Sequence, residues 1–168
     1  LVAGELPGGP LQEPDVGRPR RAAVQAAITR AAPGTEGVRR GDAAVLVQLN
    51  HDQPAALVAT VHAQRRQPHL AVAIREGAAV IGPFVPATGA PCLACLELHR
   101  RDRDPGWPGL PRPETPEPCA VTTLLAATAF AAAEVLAFLD GAMPSTLGAA
   151  AEISAAGRFR RRTWPPHP

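Results

Sequence analysis

The run Ala43-Ala44-Val45-Leu46-Val47, apolar throughout and set directly after Gly41-Asp42, restricts the fold more than any other stretch of the sequence. A strand with one wet face alternates apolar and polar residues. An unbroken run of this kind predicts a strand buried on both faces, as in a parallel sheet with helices above and below it. Helical patterns stand on either side of it. Arg18–Ala32 has Pro19 in its first turn, an apolar face at Val24, Ala27, Ile28 and Ala31, and a stop at Pro33-Gly34. Downstream, Asn50 or Asp52 caps a helix with Pro54 in its first turn, which runs through Leu57, Val58 and Val61 to Arg65-Arg66.

The remaining pattern is mixed. His69–Arg75 and Ala79–Phe84 read as strands, joined by a tight turn at Glu76-Gly77, where glycine tolerates positive φ. Pro86–Pro91 is a loop, and Cys92–Arg100 a short helix. Arg101–Pro118 carries proline at 105, 108, 111, 113, 116 and 118 and reads as a long crossover loop. Val121–Leu139 is the longest helix, closed by Asp140-Gly141. Leu147–Ser154 and Arg158–Trp164 predict a C-terminal β-hairpin around Ala156-Gly157. Helices and strands interleaved in this order predict an α/β fold, in one domain spanning residues 1–168.

Several function classes recede on composition. With 168 residues, of which 46% are hydrophobic and 19% charged, the chain builds a core instead of staying disordered. A net charge of +2 gives no footprint for nucleic acid. Three cysteines make no disulfide framework. Leu1–Pro10 lacks the basic and apolar regions of a signal peptide, so a cytoplasmic setting is expected. Ala120–Leu139 is rich in alanine and carries Glu134, which favours a buried helix of a soluble protein over a membrane span.

The sharpest chemical signal is Cys92-Leu93-Ala94-Cys95. Two thiolates at this spacing suit half of a tetrahedral zinc site, a redox pair, or two small structural thiols. A zinc site needs two further ligands; Cys119 is one candidate, and His99 or His167 another. Cys119 also reads as a crossover-loop nucleophile or as a small apolar residue opening the long helix. The Arg158, Arg160, Arg161 and Arg162 cluster fits a charged sheet edge better than a phosphate site. No phosphate loop, complete Gly-x-Gly-x-x-Gly, Gly-x-Ser-x-Gly or His-Glu-x-x-His occurs.

Three segments together carry a family resemblance: Gly82-Pro83-Phe84-Val85, Pro91-Cys92-Leu93-Ala94-Cys95-Leu96-Glu97-Leu98-His99-Arg100, and Asp102-Arg103-Asp104-Pro105-Gly106-Trp107-Pro108. With Asp15-Val16-Gly17-Arg18-Pro19-Arg20, Pro68-His69-Leu70 and the closing Trp164-Pro165-Pro166-His167-Pro168, the chain resembles actinobacterial members of the ThiF/MoeB family, which share the ubiquitin-activating-enzyme fold. Its nearest likeness is to the ThiF-like partner proteins of azoline-forming cyclodehydratases that modify ribosomal peptides.

The resemblance implies an incomplete Rossmann-like, ThiF-type sheet flanked by helices, with the crossover loop and terminal hairpin already read from the pattern. It implies a structural zinc ion on two cysteine pairs, of which Cys92 and Cys95 match the first; the second pair and the family's glycine-rich nucleotide loop have no counterpart in these residues. The expectation is therefore a domain cut at both ends, whose strand Ala43–Val47 exposes an apolar edge, leaving the chain marginally stable or self-associating through that edge. Adenylating members carry Asn-x-x-Arg-Gln where Glu5-Leu6-Pro7-Gly8-Gly9 stands here, and a magnesium-holding Asp to which only Asp52 approximates. Both departures weigh against ATP use and imply a non-catalytic subunit, with no catalytic residue assigned. Its partners would be a YcaO-type cyclodehydratase subunit and a precursor peptide, a homodimer being compatible. The alternatives are an ATP-dependent adenylating enzyme of the ThiF/MoeB type and a small Cys-x-x-Cys redox protein.

Overall fold

Turn chemistry organises the centre of the sheet. In the computed structural model, which describes residues 1–35, 43–49, 55–88, 91–106, 117–155 and 157–168, Glu76 and Gly77 both adopt positive φ (51° and 75°). That backbone matches the right-handed twist of the strands it joins. It connects β2 (His69–Arg75) to β3 (Ala78–Val85) in antiparallel register from Arg75↔Ala78 to His69↔Val85.

The other strands add on either side, giving the order β1-β2-β3-β4-β5. β1 (Leu46–Leu49) pairs with β2 in parallel. β4 (Ala149–Ile153) and β5 (Phe159–Thr163) form the expected hairpin, and β4 docks antiparallel on β3. The close approach of β3 to β4 depends on Gly82, whose φ is 108° and where an added Cβ would sit 2.5 Å from the carbonyl oxygen of Ala149. Among the described strands the sheet is mixed, β1 and β2 being its one parallel pair.

Among the described residues, three helices pack on it. α4 (Val121–Leu139) lies on one face, where Ala127 and the partly buried Phe130, Ala131, Val135 and Phe138 pack against Leu70, Ile81, Phe84 and Ile153. By length and composition alone α4 could cross a bilayer; here it lies along the sheet. The opposite face receives α2 (Ala55–Gln64) and α3 (Leu93–Arg103), with Val58, Ala59 and Leu93 against Ala71. Buried Glu134 of α4 ties down the turn into β4: Ser145 donates its N–H (3.1 Å) and hydroxyl (2.7 Å), and Thr146 donates its N–H (2.7 Å) and hydroxyl. Burial pushes this carboxyl up, but the Thr146 and Ser145 hydrogen bonds outweigh it and hold the group below its ordinary range.

The fully buried strand expected at Ala43–Val47 is corrected. The strand occupies Leu46–Leu49, alternates half-buried and exposed residues, and leaves Val47 and Leu49 40% and 67% exposed. Among the described residues its only strand partner is β2, which puts it at the edge of the described sheet. Between this edge and α4 runs an apolar groove of about 660 Å³, lined by Val47, Leu49, Val72, Leu124, Val135 and Leu136 among others. Asn50, Asp52, Pro54 and most of the proline-rich loop lie outside the described residues.

By its internal contacts the chain divides at Ala43/Ala44. In the first unit, α1 (Arg20–Ala31) buries Ala23 and Ala27. Buried Asp15 accepts from Arg18 and Arg30, both at 2.8 Å, and from the Gln12 N–H at 3.1 Å. The Arg30 hydrogen bond leads the contacts that hold its carboxyl below the usual value. Glu5 accepts from Arg20 and from the Val2 N–H, and that N–H is the main cause of its lowered pKa.

Candidate metal centre

Helix α3 presents four donor residues at intervals of three, four and three: Cys92, Cys95, His99 and Asp102. At 3.6 residues per turn these fall on one stripe of the helix. Cys92 is the N-cap, in extended conformation. The helix continues past the expected Arg100 to Arg103, where arginines favour the negative C-terminal end. Asp104, which precedes Pro105, leaves the helical region at φ −138°, ψ 94°.

The sulfur atoms of Cys92 and Cys95 lie 3.7 Å apart, and both cysteines are free and half-buried. Two Zn–S bonds of about 2.3 Å at a tetrahedral angle span about 3.8 Å, so the pair fits one zinc ion without rearrangement. Burial raises the Cys95 thiol, but hydrogen bonds from the His167 and Cys92 backbone and the Cys92 thiol, with the charge of His167, bring it below its ordinary range. A lowered thiol at a helix N-terminus serves metal binding and disulfide exchange equally.

The C-terminal segment returns to this stripe. Trp164 donates its N–H to the Gly148 carbonyl at 3.0 Å. Gly148, at φ 64°, lets Pro91 and Trp164 approach: an added Cβ would lie 3.3 Å from the Pro91 ring. Beyond that anchor, Pro165 offers its carbonyl to His99 Nε2 at 3.0 Å, and His167 Nε2 meets Asp102 Oδ2 at 2.9 Å. The two imidazoles stand edge to face, centroids 5.0 Å apart. The Asp102 carboxylate is the main cause of the raised His167 pKa.

His99 and His167, alternatives for one further zinc ligand in the sequence, are thus brought together beside the cysteines, and Asp102 joins them. The stripe spacing was the sequence signal for Asp102. Cys119 is corrected as a third ligand. Its thiol donates to the Gly77 carbonyl at 3.4 Å, at the β2–β3 turn, whereas Cys92 follows the far end of β3. Eight residues of strand separate those ends, roughly 23 Å at about 3.3 Å per residue. The arginines of β5 are exposed on an edge strand, Arg162 facing Glu152 at 3.7 Å and Arg161 donating to the Ser145 carbonyl at 2.9 Å.

A second pairing was not legible as such. His62 of α2 and His69 of β2 are buried and stacked, centroids 4.2 Å apart. His69 donates Nδ1–H to the Gln67 carbonyl at 3.0 Å, and its buried Nε2 has no hydrogen-bond partner among the described residues. Burial is the main cause holding both below the ordinary histidine value.

No protein-family model matches the sequence, and no curated protein does. Solved structures do. The crystal structure of E. coli MccB with ATP superposes with a TM-score of 0.73 at 16% identity, over 100% of this chain and 55% of MccB. The chain shares its fold with MccB. The microcin C7 biosynthetic enzyme MccB in complex with N-formylated MccA gives a TM-score of 0.69 at 16% identity, over 94% of this chain and 53% of that one. PaaA gives 0.68 at 11% identity, over 97% and 61%. The chain thus spans about half the length of MccB, and its α/β architecture, a mixed sheet flanked by helices, is the fold it shares with that structure.

Proposed function

We propose that this chain works as part of a non-adenylating, ThiF-like scaffold in peptide-natural-product biosynthesis, presenting a precursor peptide to a YcaO-type cyclodehydratase subunit. The observation that carries the reading is the fold shared over the whole chain with a microcin C7 biosynthetic enzyme. Glu5 supports the absence of adenylation. It opens the segment Glu5–Gly9, where on the ThiF/MoeB resemblance adenylating members carry Asn-x-x-Arg-Gln; Gly8 then stands in place of the arginine that would offset phosphate charge, and the Glu5 carboxylate is held ionised by the Val2 N–H and Arg20. Cys92 and Cys95 would hold a structural zinc ion, which pins the start of α3 to the return of the C-terminal segment. The test is reconstitution of the full-length protein with a YcaO-type subunit and its precursor peptide. Azoline formation should need both proteins, with ATP consumed by the YcaO-type subunit.

The alternative is an adenylating enzyme of the ThiF/MoeB type. The likeness to MccB in its ATP-bound crystal structure favours it. Peptide-dependent exchange of pyrophosphate into ATP by the purified protein would establish it.

A further inference from the structure

We propose that His99, Asp102 and His167 form a second metal site, distinct from the cysteine pair, that takes a divalent transition ion of the zinc class on nitrogen and oxygen donors. The ligand atoms of the three residues lie within 4.8 Å of one another. His99 and Asp102, three residues apart, project from one face of α3, a spacing that places two side chains on one ion. His167 comes from the far end of the sequence, on a segment fixed by Trp164 at Gly148 and by Pro165 at His99.

The outer contacts suit ligation. A metal-bound imidazole usually donates its other ring nitrogen to a carbonyl or carboxylate, which fixes the ring. Each histidine already has one nitrogen at a backbone carbonyl: His99 Nε2 at Pro165 (3.0 Å) and His167 Nδ1 at Pro168 (3.1 Å). The other nitrogen of each is left as donor, and for His167 it is the one facing Asp102. Donors at about 2.1 Å from a tetrahedral ion are about 3.4 Å apart, so a pair at the 4.8 Å limit closes by roughly 1.4 Å. Asp102 and His167 already stand at 2.9 Å, so the closure needed is between His99 and that pair, and the Asp102 side chain, 64% exposed, is free to adjust with it. Two imidazoles and one carboxylate select zinc, cobalt or nickel over calcium or magnesium, and leave a fourth position open to water or substrate. The site needs neither thiol, so it stands or falls independently of zinc at Cys92 and Cys95.

Cobalt(II) titration of the full chain tests it, because thiolate ligation gives sulfur-to-metal charge-transfer bands and nitrogen–oxygen ligation does not. The Cys92→Ser/Cys95→Ser variant should still bind one Co²⁺ per chain, without those bands. Adding His99→Gln or His167→Gln should weaken that binding by at least about tenfold, with the circular dichroism of the parent retained. If the double serine variant does not fold, Asp102→Asn/His99→Gln in the otherwise native chain should lower the metal content by one ion and leave any thiolate bands intact. A folded double serine variant that binds no cobalt overturns the proposal. So does binding unaffected by either glutamine substitution, or an Asp102→Asn/His99→Gln chain with unchanged metal content.

Discussion

His167 Nε2 lies 2.9 Å from Asp102 Oδ2, joining residues 65 positions apart in the sequence. The contact holds the end of the chain against α3 and puts the His167 N–H on Cys95. Asp102→Ala should free Pro165–Pro168 in metal-free protein. Hydrogen exchange at the His167 amide should quicken by roughly two- to fivefold, the factor a surface ion pair supports. Unchanged exchange would mean that the Gly148 and Pro165 contacts hold the segment without Asp102.

Two glycines with positive φ should respond differently to alanine. At Gly82 the new Cβ meets backbone of β4 at 2.5 Å, which cannot yield without parting the strands, and Gly82→Ala should cost about 3 kcal/mol or more. At Gly141, φ 77° with nothing within 4 Å, the cost should be about 1 kcal/mol, the conformational term alone. Chemical denaturation of the two variants makes the comparison.

Acid should weaken the fold in two stages. His62 and His69 are buried with pKa values below 6.5, so the unfolded chain takes up protons first; their contribution, intact above pH 6.5, is lost as pH falls towards their folded values. Glu134 is likewise depressed from 4.5, and its contribution is intact above that pH and lost as pH falls through its lower folded pKa. Glu134→Ala strands the Ser145 and Thr146 donors, should cost about 2–4 kcal/mol at pH 7, and should remove the second stage. Denaturation midpoints measured from pH 8 to pH 3 read both stages.

Elements set by local chemistry were legible. The Glu76-Gly77 turn, the strands it joins, the alanine-rich α4 and the terminal hairpin depend on neighbours in sequence, and the structure has them within a few residues of the expected bounds. Position in the sheet was not legible. An apolar run such as Ala43–Val47 has the same composition at an edge as at the centre, and only its partners decide. The candidate metal centre was half legible: the Cys92–Cys95 spacing is local, but the return of His167 to α3 depends on Gly148 meeting Pro91 and Trp164, contacts formed only in three dimensions.

The exposed β1 edge and its groove should drive self-association. Val47 and Leu49 stand on a strand that, among the described residues, pairs with β2 alone, and line the same groove as exposed Leu136. Leu49→Lys/Leu136→Lys should weaken association by about tenfold or more, as expected for losing the burial of one or two leucines. Sedimentation equilibrium over a range of concentrations measures it, and a monomeric parent protein would contradict the expectation.

The scaffold reading is tested most directly by ATP–pyrophosphate exchange in the full-length protein, with its precursor peptide present. The account predicts exchange at background level, since on the ThiF/MoeB resemblance Gly8 stands where adenylating members would carry the arginine of Asn-x-x-Arg-Gln. Peptide-dependent exchange above background would contradict it and establish the protein as an adenylating enzyme.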